Sequence, residues 1–196
     1  MKKSAMILVA SLFFFVCVAQ MSHEVSQKRL DDAIWLATEI EIPLASNSQV
    51  WTEPFFEIYN VIHTNDFRIE TQGEPLDSLI RFVVYSNDQV IATGRLFERV
   101  TFDEARTALL LELLENNMML EALAVIYKVR TNGIGDFNVV RTTRNAAEEI
   151  IDRLDWIYFI RGAKAISLRG KDGANVNVQP IAKVLDGLLK QPPASE

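Results

Sequence analysis

Apolar and polar positions recur along this chain with two different periods, and the switches between them mark its elements. Over residues 22–41, Leu30, Ala33, Ile34, Ala37 and Ile40 repeat at three- and four-residue spacing with charges between them. That spacing predicts an amphipathic helix. Pro43 and the stretch Ala45-Ser46-Asn47-Ser48 end it. Over residues 49–71 the texture changes. Phe55, Phe56, Ile58, Tyr59, Val61 and Ile62, then Phe67 and Ile69, are strand formers. Thr64-Asn65-Asp66 reads as a turn and Gly73-Glu74-Pro75 as a further break. Residues 79–85 and 90–93 flank Ser86-Asn87-Asp88-Gln89, which predicts a hairpin.

Thr101 and Glu104 match a capping box, in which each side chain bonds the other's backbone amide. A helix follows through Leu109, Leu110, Leu113 and Leu114, and Asn116-Asn117 ends it. Residues 122–130 and 137–140 flank Asn132-Gly133-Ile134-Gly135-Asp136, a second hairpin. Asn145, with Glu148 three positions on, predicts a short capped helix. Residues 156–160 and 165–168 flank Arg161-Gly162-Ala163-Lys164, a third hairpin. Asn175 and Asn177 precede a last helix with Pro180 in its first turn and Ile181, Val184, Leu185, Leu188 and Leu189 along it. Residues 191–196 form a frayed tail.

One fixed offset lays Phe82-Val83-Val84-Tyr85 on Ile157-Tyr158-Phe159-Ile160, and Leu109-Leu110 on Val184-Leu185. Period 2 followed by period 3.6 forces such apolar matches even without duplication. Hairpins followed by helices predict an α+β fold, an antiparallel sheet with helices packed on one face, built as two related hairpin–helix units. The expected division is a signal peptide at 1–19, an N-terminal helix and linker at 20–47, an α+β domain at 48–190 and a tail at 191–196.

The segment Phe159-Ile160-Arg161-Gly162-Ala163-Lys164-Ala165-Ile166-Ser167-Leu168, with the helix that follows, resembles the ends of uncharacterised exported bacterial proteins. Those show an Arg-Gly hairpin turn, a short alternating strand and a closing helix. The resemblance implies no activity. Ala163 departs from the Asn that often follows the Gly.

Composition narrows the function classes. The chain has 196 residues, 49% of them hydrophobic and 23% charged, which excludes collagen-like and mostly disordered chains. A chain of this length can bury a core without disulfides. A formal charge of −6 argues against nucleic acid, which requires a concentrated basic surface. Lys2 and Lys3 precede an uncharged run over residues 5–19 that ends in Cys17-Val18-Ala19. This is the pattern of a signal peptide cut after Ala19, and it is short for a spanning helix. A retained anchor is the alternative. Phe14 and Val16 depart from the pattern that precedes a lipidated cysteine. Cleavage removes two of the 20 basic residues and none of the 26 acidic ones, so the charge moves from −6 to −8. It also removes the single cysteine.

Candidate chemistry is sparse. His23 and His63 are the only histidines, and neither sits in a metal-binding or nucleophile motif. No cofactor is expected. The glycines of residues 132–136 lack phosphate-loop spacing and sit between predicted strands. Met118-Met119 reads as core filling. Arg161, Lys164, Arg169 and Lys171 gather around the third hairpin, where basic side chains bind an anion or acidic partner, or else guard a strand edge against aggregation. The resulting expectation is an exported, non-catalytic binding or interaction module that uses these four residues. Its partner would be another exported protein or a small anionic ligand, with a homo-oligomer as an option. Two other readings follow from other residues. A small periplasmic hydrolase of glycan or cell-wall material would use Glu53, Glu57 or Asp66. A docking protein would use the helix at 22–41.

Overall fold

The computed structural model describes residues 27–29, 31–44, 61–64, 66–76, 78–115, 127–171 and 176–190. Helix α1 covers 27–29 and 31–39. The strands are β1 (Val61–His63), β2 (Arg68–Leu76), β3 (Leu79–Ser86), β4 (Gln89–Glu98), β5 (Tyr127–Arg130), β6 (Phe137–Arg144), β7 (Ile150–Arg161) and β8 (Lys164–Gly170). Helix α2 (Phe102–Glu115) follows β4, and α3 (Gln179–Leu189) follows β8. All eight strands join one antiparallel sheet in the order β1-β2-β3-β4-β8-β7-β6-β5. Two four-strand meanders therefore meet along a central seam, where Ala92 to Glu98 pair with Gly170 to Lys164.

Local chemistry explains most of the boundaries. Asn87 and Asp88 adopt φ of 49° and 59°, as a two-residue hairpin turn requires. Gly162 opens the β7–β8 turn at φ 56°. The Thr64 hydroxyl accepts from the Phe67 and Asp66 amides and closes the β1–β2 turn. The capping box forms: Thr101 Oγ1 accepts from the Glu104 amide, and Glu104 Oε2 accepts from the amides of Thr101 and Val100. Asn177 Oδ1 accepts from the Gln179 amide at the start of α3, with Pro180 in the first turn.

Three expectations are corrected. The helix expected after Asn145 is the β6–β7 hairpin turn. Asn145 Oδ1 accepts from the amides of Ala147 and Glu149, and Glu148 takes φ 60°. An Asn that bonds the amides ahead of it can close a turn as readily as it starts a helix. Gly73-Glu74-Pro75 does not end a strand. β2 runs through it to Leu76, with a pairing irregularity between Gln72 and Leu76 that absorbs the proline.

The helices divide between the two faces, which is the third correction. Ile181, Ala182, Leu185 and Leu189 of α3 pack with Ile80, Phe82, Val84, Leu96, Ile157, Phe159, Ile166 and Leu168. Ala105, Leu109 and Leu113 of α2 pack with Phe97, Phe137, Val139, Tyr158, Ile160 and Ala165. Alternation along β7 separates the two sets, with Ile157 and Phe159 on one face and Tyr158 and Ile160 on the other. The last half of β7 and nearly all of β8 are buried on both sides. Each meander is closed by a helix, as the offset suggested, but the two helices cover opposite faces.

Helix α1 joins the α2 side through Ala33, Leu36 and Ile40. Its packing leaves Ile34 and Leu44 exposed beside an apolar groove of about 530 Å³ against α2. The expected strands over 49–60, the Met118-Met119 pair, the leader at 1–19 and the tail at 191–196 lie outside the described residues.

Candidate functional site

The α2 face of the sheet is covered unevenly. Helix α2 packs on β8, β7 and β4. Beside it, over β2, β3 and β4, the same face carries polar side chains and opens into a cleft of about 430 Å³. The register assembles it. Gln72 stands opposite Arg81, Arg81 opposite Arg95, and Arg95 opposite Ser167. One step along the same face, Thr93 stands opposite Arg169, and Arg169 opposite Trp156. Glu112 of α2 completes the lining. Phe82 and Gly94 interrupt the row on the opposite face. A Cβ on Gly94 would lie 2.1 Å from the Phe82 ring, so glycine lets that ring cross the neighbouring strand.

Directly opposed side chains in an antiparallel pair have Cβ atoms about 4.5–5.5 Å apart, where like charges repel. Arg81 and Arg95 occupy such a pair. Arg95 Nη1 donates to Glu112 Oε2 at 2.8 Å. Glu112 is only 5% exposed, whereas the Arg95 side chain is 40% exposed and opens to the cleft. Arg81 is exposed, and no carboxylate lies within ion-pair distance of it among the described residues. The Arg169 guanidinium lies 4.8 Å from the Trp156 ring centre, Arg141 lies 5.9 Å from it, and Tyr158 stacks beside it at 5.5 Å. Cation–π contacts of this kind fix a guanidinium without neutralising it. Burial, then the charges of Tyr127 and Glu112, push the Tyr158 hydroxyl far above its ordinary pKa. It stays neutral and is no base.

The four basic residues expected to act together are placed apart. Arg161 sits at the β7–β8 turn. Its Nε and Nη2 bond both oxygens of Asp186 at 2.8 and 3.1 Å, and its Nη1 bonds Asp136 at 2.7 Å. Burial pulls its pKa down, and the bonds and charges of Asp186 and Asp136 outweigh this and raise it. Lys164 is 3% exposed and bonds Glu98 at 3.0 Å. At these two positions the charges tie the hairpin to α3, to the loop before β6 and to β4. Arg169 faces the cleft. Lys171 is exposed just past β8, with its amide bonded to the Ile91 carbonyl.

Sequence reasoning missed Gln72, Arg81, Arg95, Glu112 and Trp156. Arg81 left one signal, a lone charge in the apolar run Leu79-Ile80-Arg81-Phe82-Val83-Val84. Of the carboxylates offered for hydrolysis, Asp66 is exposed in the β1–β2 turn; Glu53 and Glu57 lie outside the described residues. His63 is exposed at the end of β1. Among the described residues no three His, Cys, Asp or Glu side chains come together to hold a metal ion. Comparison with protein-family models, curated proteins and solved structures gave no match to this chain.

Proposed function

We propose that this protein is an exported, non-catalytic binding module whose cleft beside α2 holds an anionic ligand. The observation that carries the reading is the direct cross-strand pairing of Arg81 with Arg95 in an open cleft that Arg169 also enters. Two cations set opposite each other weaken a sheet. A bound anion turns that repulsion into attraction from both sides. Gln72, Thr93 and Ser167 add neutral hydrogen-bonding groups around the same space. The resemblance of the last hairpin and helix to exported proteins, and the leader-like residues 1–19, support the export half of the reading.

Two experiments test the two halves. Thermal unfolding of the full chain is followed in multivalent anions and in chloride at equal ionic strength. Multivalent anions are expected to raise Tm, and the rise is expected to vanish in the R81Q/R169Q double variant. Equal Tm in every salt would sink the binding claim. N-terminal sequencing of the chain recovered from a periplasmic fraction is expected to begin at Gln20. Recovery of intact Met1 chain from the cytoplasm alone would sink the export claim.

A further inference from the structure

We infer that two copies of this chain pair edge to edge along the first residues of β7, with Ile151 of each copy opposite Ile151 of the other. The inference stands on this edge and not on the anion cleft. β8 pairs with β7 only from Trp156 onward. Before that point β7 pairs with β6, through Arg153↔Arg141, Asp152↔Thr142, Ile151↔Thr143 and Ile150↔Arg144. β5 reaches only to Arg141 on the far side of β6. Among the described residues the end of this hairpin is therefore a two-stranded ribbon. A ribbon of two strands is marginal in water, and three or more strands with an apolar face are needed for stability. This one carries Ile150 at 53% and Ile151 at 44% exposure, on opposite faces. Charges guard most open strand edges. Here Asp152 is matched by Arg130, and Arg153 by Asp155.

Backbone direction fixes which residues can pair. The Asn145 amide bonds the Glu149 carbonyl, so Glu149, Ile151 and Arg153 turn their backbone groups toward β6. Ile150, Asp152 and Leu154 turn theirs outward. The outward Leu154 carbonyl accepts from the Val178 amide. Among the described residues no strand lies along the edge at Ile150 and Asp152.

A second copy meets this edge as an antiparallel strand about a two-fold axis. Opposed residues then both face the new seam or both face away from it. Three symmetric registers centre on this stretch. Asp152 opposite its own copy sets carboxylate against carboxylate and places Ile150 on Leu154, whose carbonyl is already bonded. Ile150 opposite its own copy places Asp152 on Glu148, which lies past the strand at φ 60° and is again acid against acid. Ile151 opposite its own copy meets neither conflict. In that register Ile150 and Asp152 exchange backbone bonds with Asp152 and Ile150 of the second copy. The two Ile151 side chains meet at the closer, non-hydrogen-bonded spacing.

Charge favours the same register. Glu149 of each copy stands opposite Arg153 of the other, and Arg153 already stands beside Arg141 across the ribbon. The incoming carboxylate thus relieves a like-charge pair. Glu149 bonds Asn145 Nδ2 through Oε2, and a carboxylate can accept from both partners. Two marginal ribbons become one four-stranded sheet.

The test is sedimentation velocity of the full chain carrying Cys17→Ser, so that no disulfide joins copies. A short edge makes a small, transient contact, so dimer is expected to grow over about 1–500 μM chain. Ile151→Lys, at an exposed position, is expected to weaken association at least about tenfold and leave Tm unchanged. Disulfide trapping reads the register. On mild oxidation, Ile151→Cys is expected to give a cross-linked dimer, because facing Cβ atoms lie within disulfide reach. Asp152→Cys is expected to give none. A chain that stays monomeric at every concentration would overturn the inference. A dimer that survives Ile151→Lys would place the interface elsewhere and overturn it too. Should Ile151→Lys unfold the chain, trapping decides: no cross-link from Ile151→Cys, or an equal one from Asp152→Cys, overturns the pairing.

Discussion

At the β7–β8 hairpin, the half-buried Arg161 of β7 and the buried Lys164 of β8 are matched by Asp136, Asp186 and Glu98. Toward the other end of β8, Arg169 shares a cleft with Arg81 and Arg95, and Arg95 pairs with Glu112 there. β8 thus carries both Lys164, ion-paired within the fold, and Arg169, which lines a cleft on the other face. The first set holds the hairpin to α3 and to the loop before β6. In the second set Arg81 and Arg95 stand directly opposite each other, a pairing of like charges that weakens a sheet. A run of basic residues near one hairpin is therefore two different structures, separated by which side of the strand each residue occupies and what lies above it.

Four substitutions test this contrast, from the largest effect on stability to the smallest. Arg161→Met removes the shared partner of two carboxylates; Asp186, 2% exposed, keeps Lys190, and Asp136 keeps the Gly162 amide. It is expected to lower unfolding free energy by about 3–5 kcal/mol in urea titration. Lys164→Met leaves Glu98, which is 15% exposed and able to reach water. It is expected to cost about 1–3 kcal/mol. Arg169→Gln removes a guanidinium from the Trp156 ring and is expected to cost under about 1 kcal/mol. Arg81→Gln removes an exposed charge set against Arg95, and is expected to change stability by no more than about 0.5 kcal/mol. With anion affinity as the readout the last two are expected to show the losses. Equal destabilisation by Arg81→Gln and Arg161→Met would erase the contrast.

Glu112→Gln sharpens it. The change removes the one negative charge in the cleft lining and keeps a hydrogen-bond acceptor for Arg95. Anion affinity is expected to increase several-fold at low salt, and the gain is expected to fade as added salt screens it. A loss of affinity would instead make Glu112 essential as the group that positions Arg95.

The elements were legible where one local signal decided them. Asn87-Asp88, Thr101 with Glu104, and Pro180 each required one backbone geometry, and the fold used it. Asn145 was misread because the same side-chain bonds serve a turn and a helix start. The cleft was hidden by register. Counting outward from the Asn87-Asp88 turn pairs Arg81 with Gly94 and puts Arg95 on the other face. The irregularity after Tyr85↔Val90 leaves Ile91 as an extra residue and moves Arg95 opposite Arg81. A one-residue slip reverses every side chain beyond it, and no composition or periodicity marks where it falls. The side of each helix was hidden for a similar reason. An apolar stripe on α3 states that a face is buried, and the chain's crossing of the sheet decides which one. The ion pairs of Arg161 and Lys164 were not legible because their partners, Asp136, Asp186 and Glu98, are distant in sequence.

The central seam has a consequence for how the chain can be divided. Helix α2 belongs in sequence to the first meander and packs on β7 and β8 of the second. Helix α3 completes a core that includes Ile62, Phe67 and Ile69 from the first. Each half is thus the missing lid and the missing edge of the other. Two separate polypeptides, cut between Glu115 and Tyr127, are expected to be unstructured alone and to assemble on mixing, so that the pair works as a split reporter of proximity.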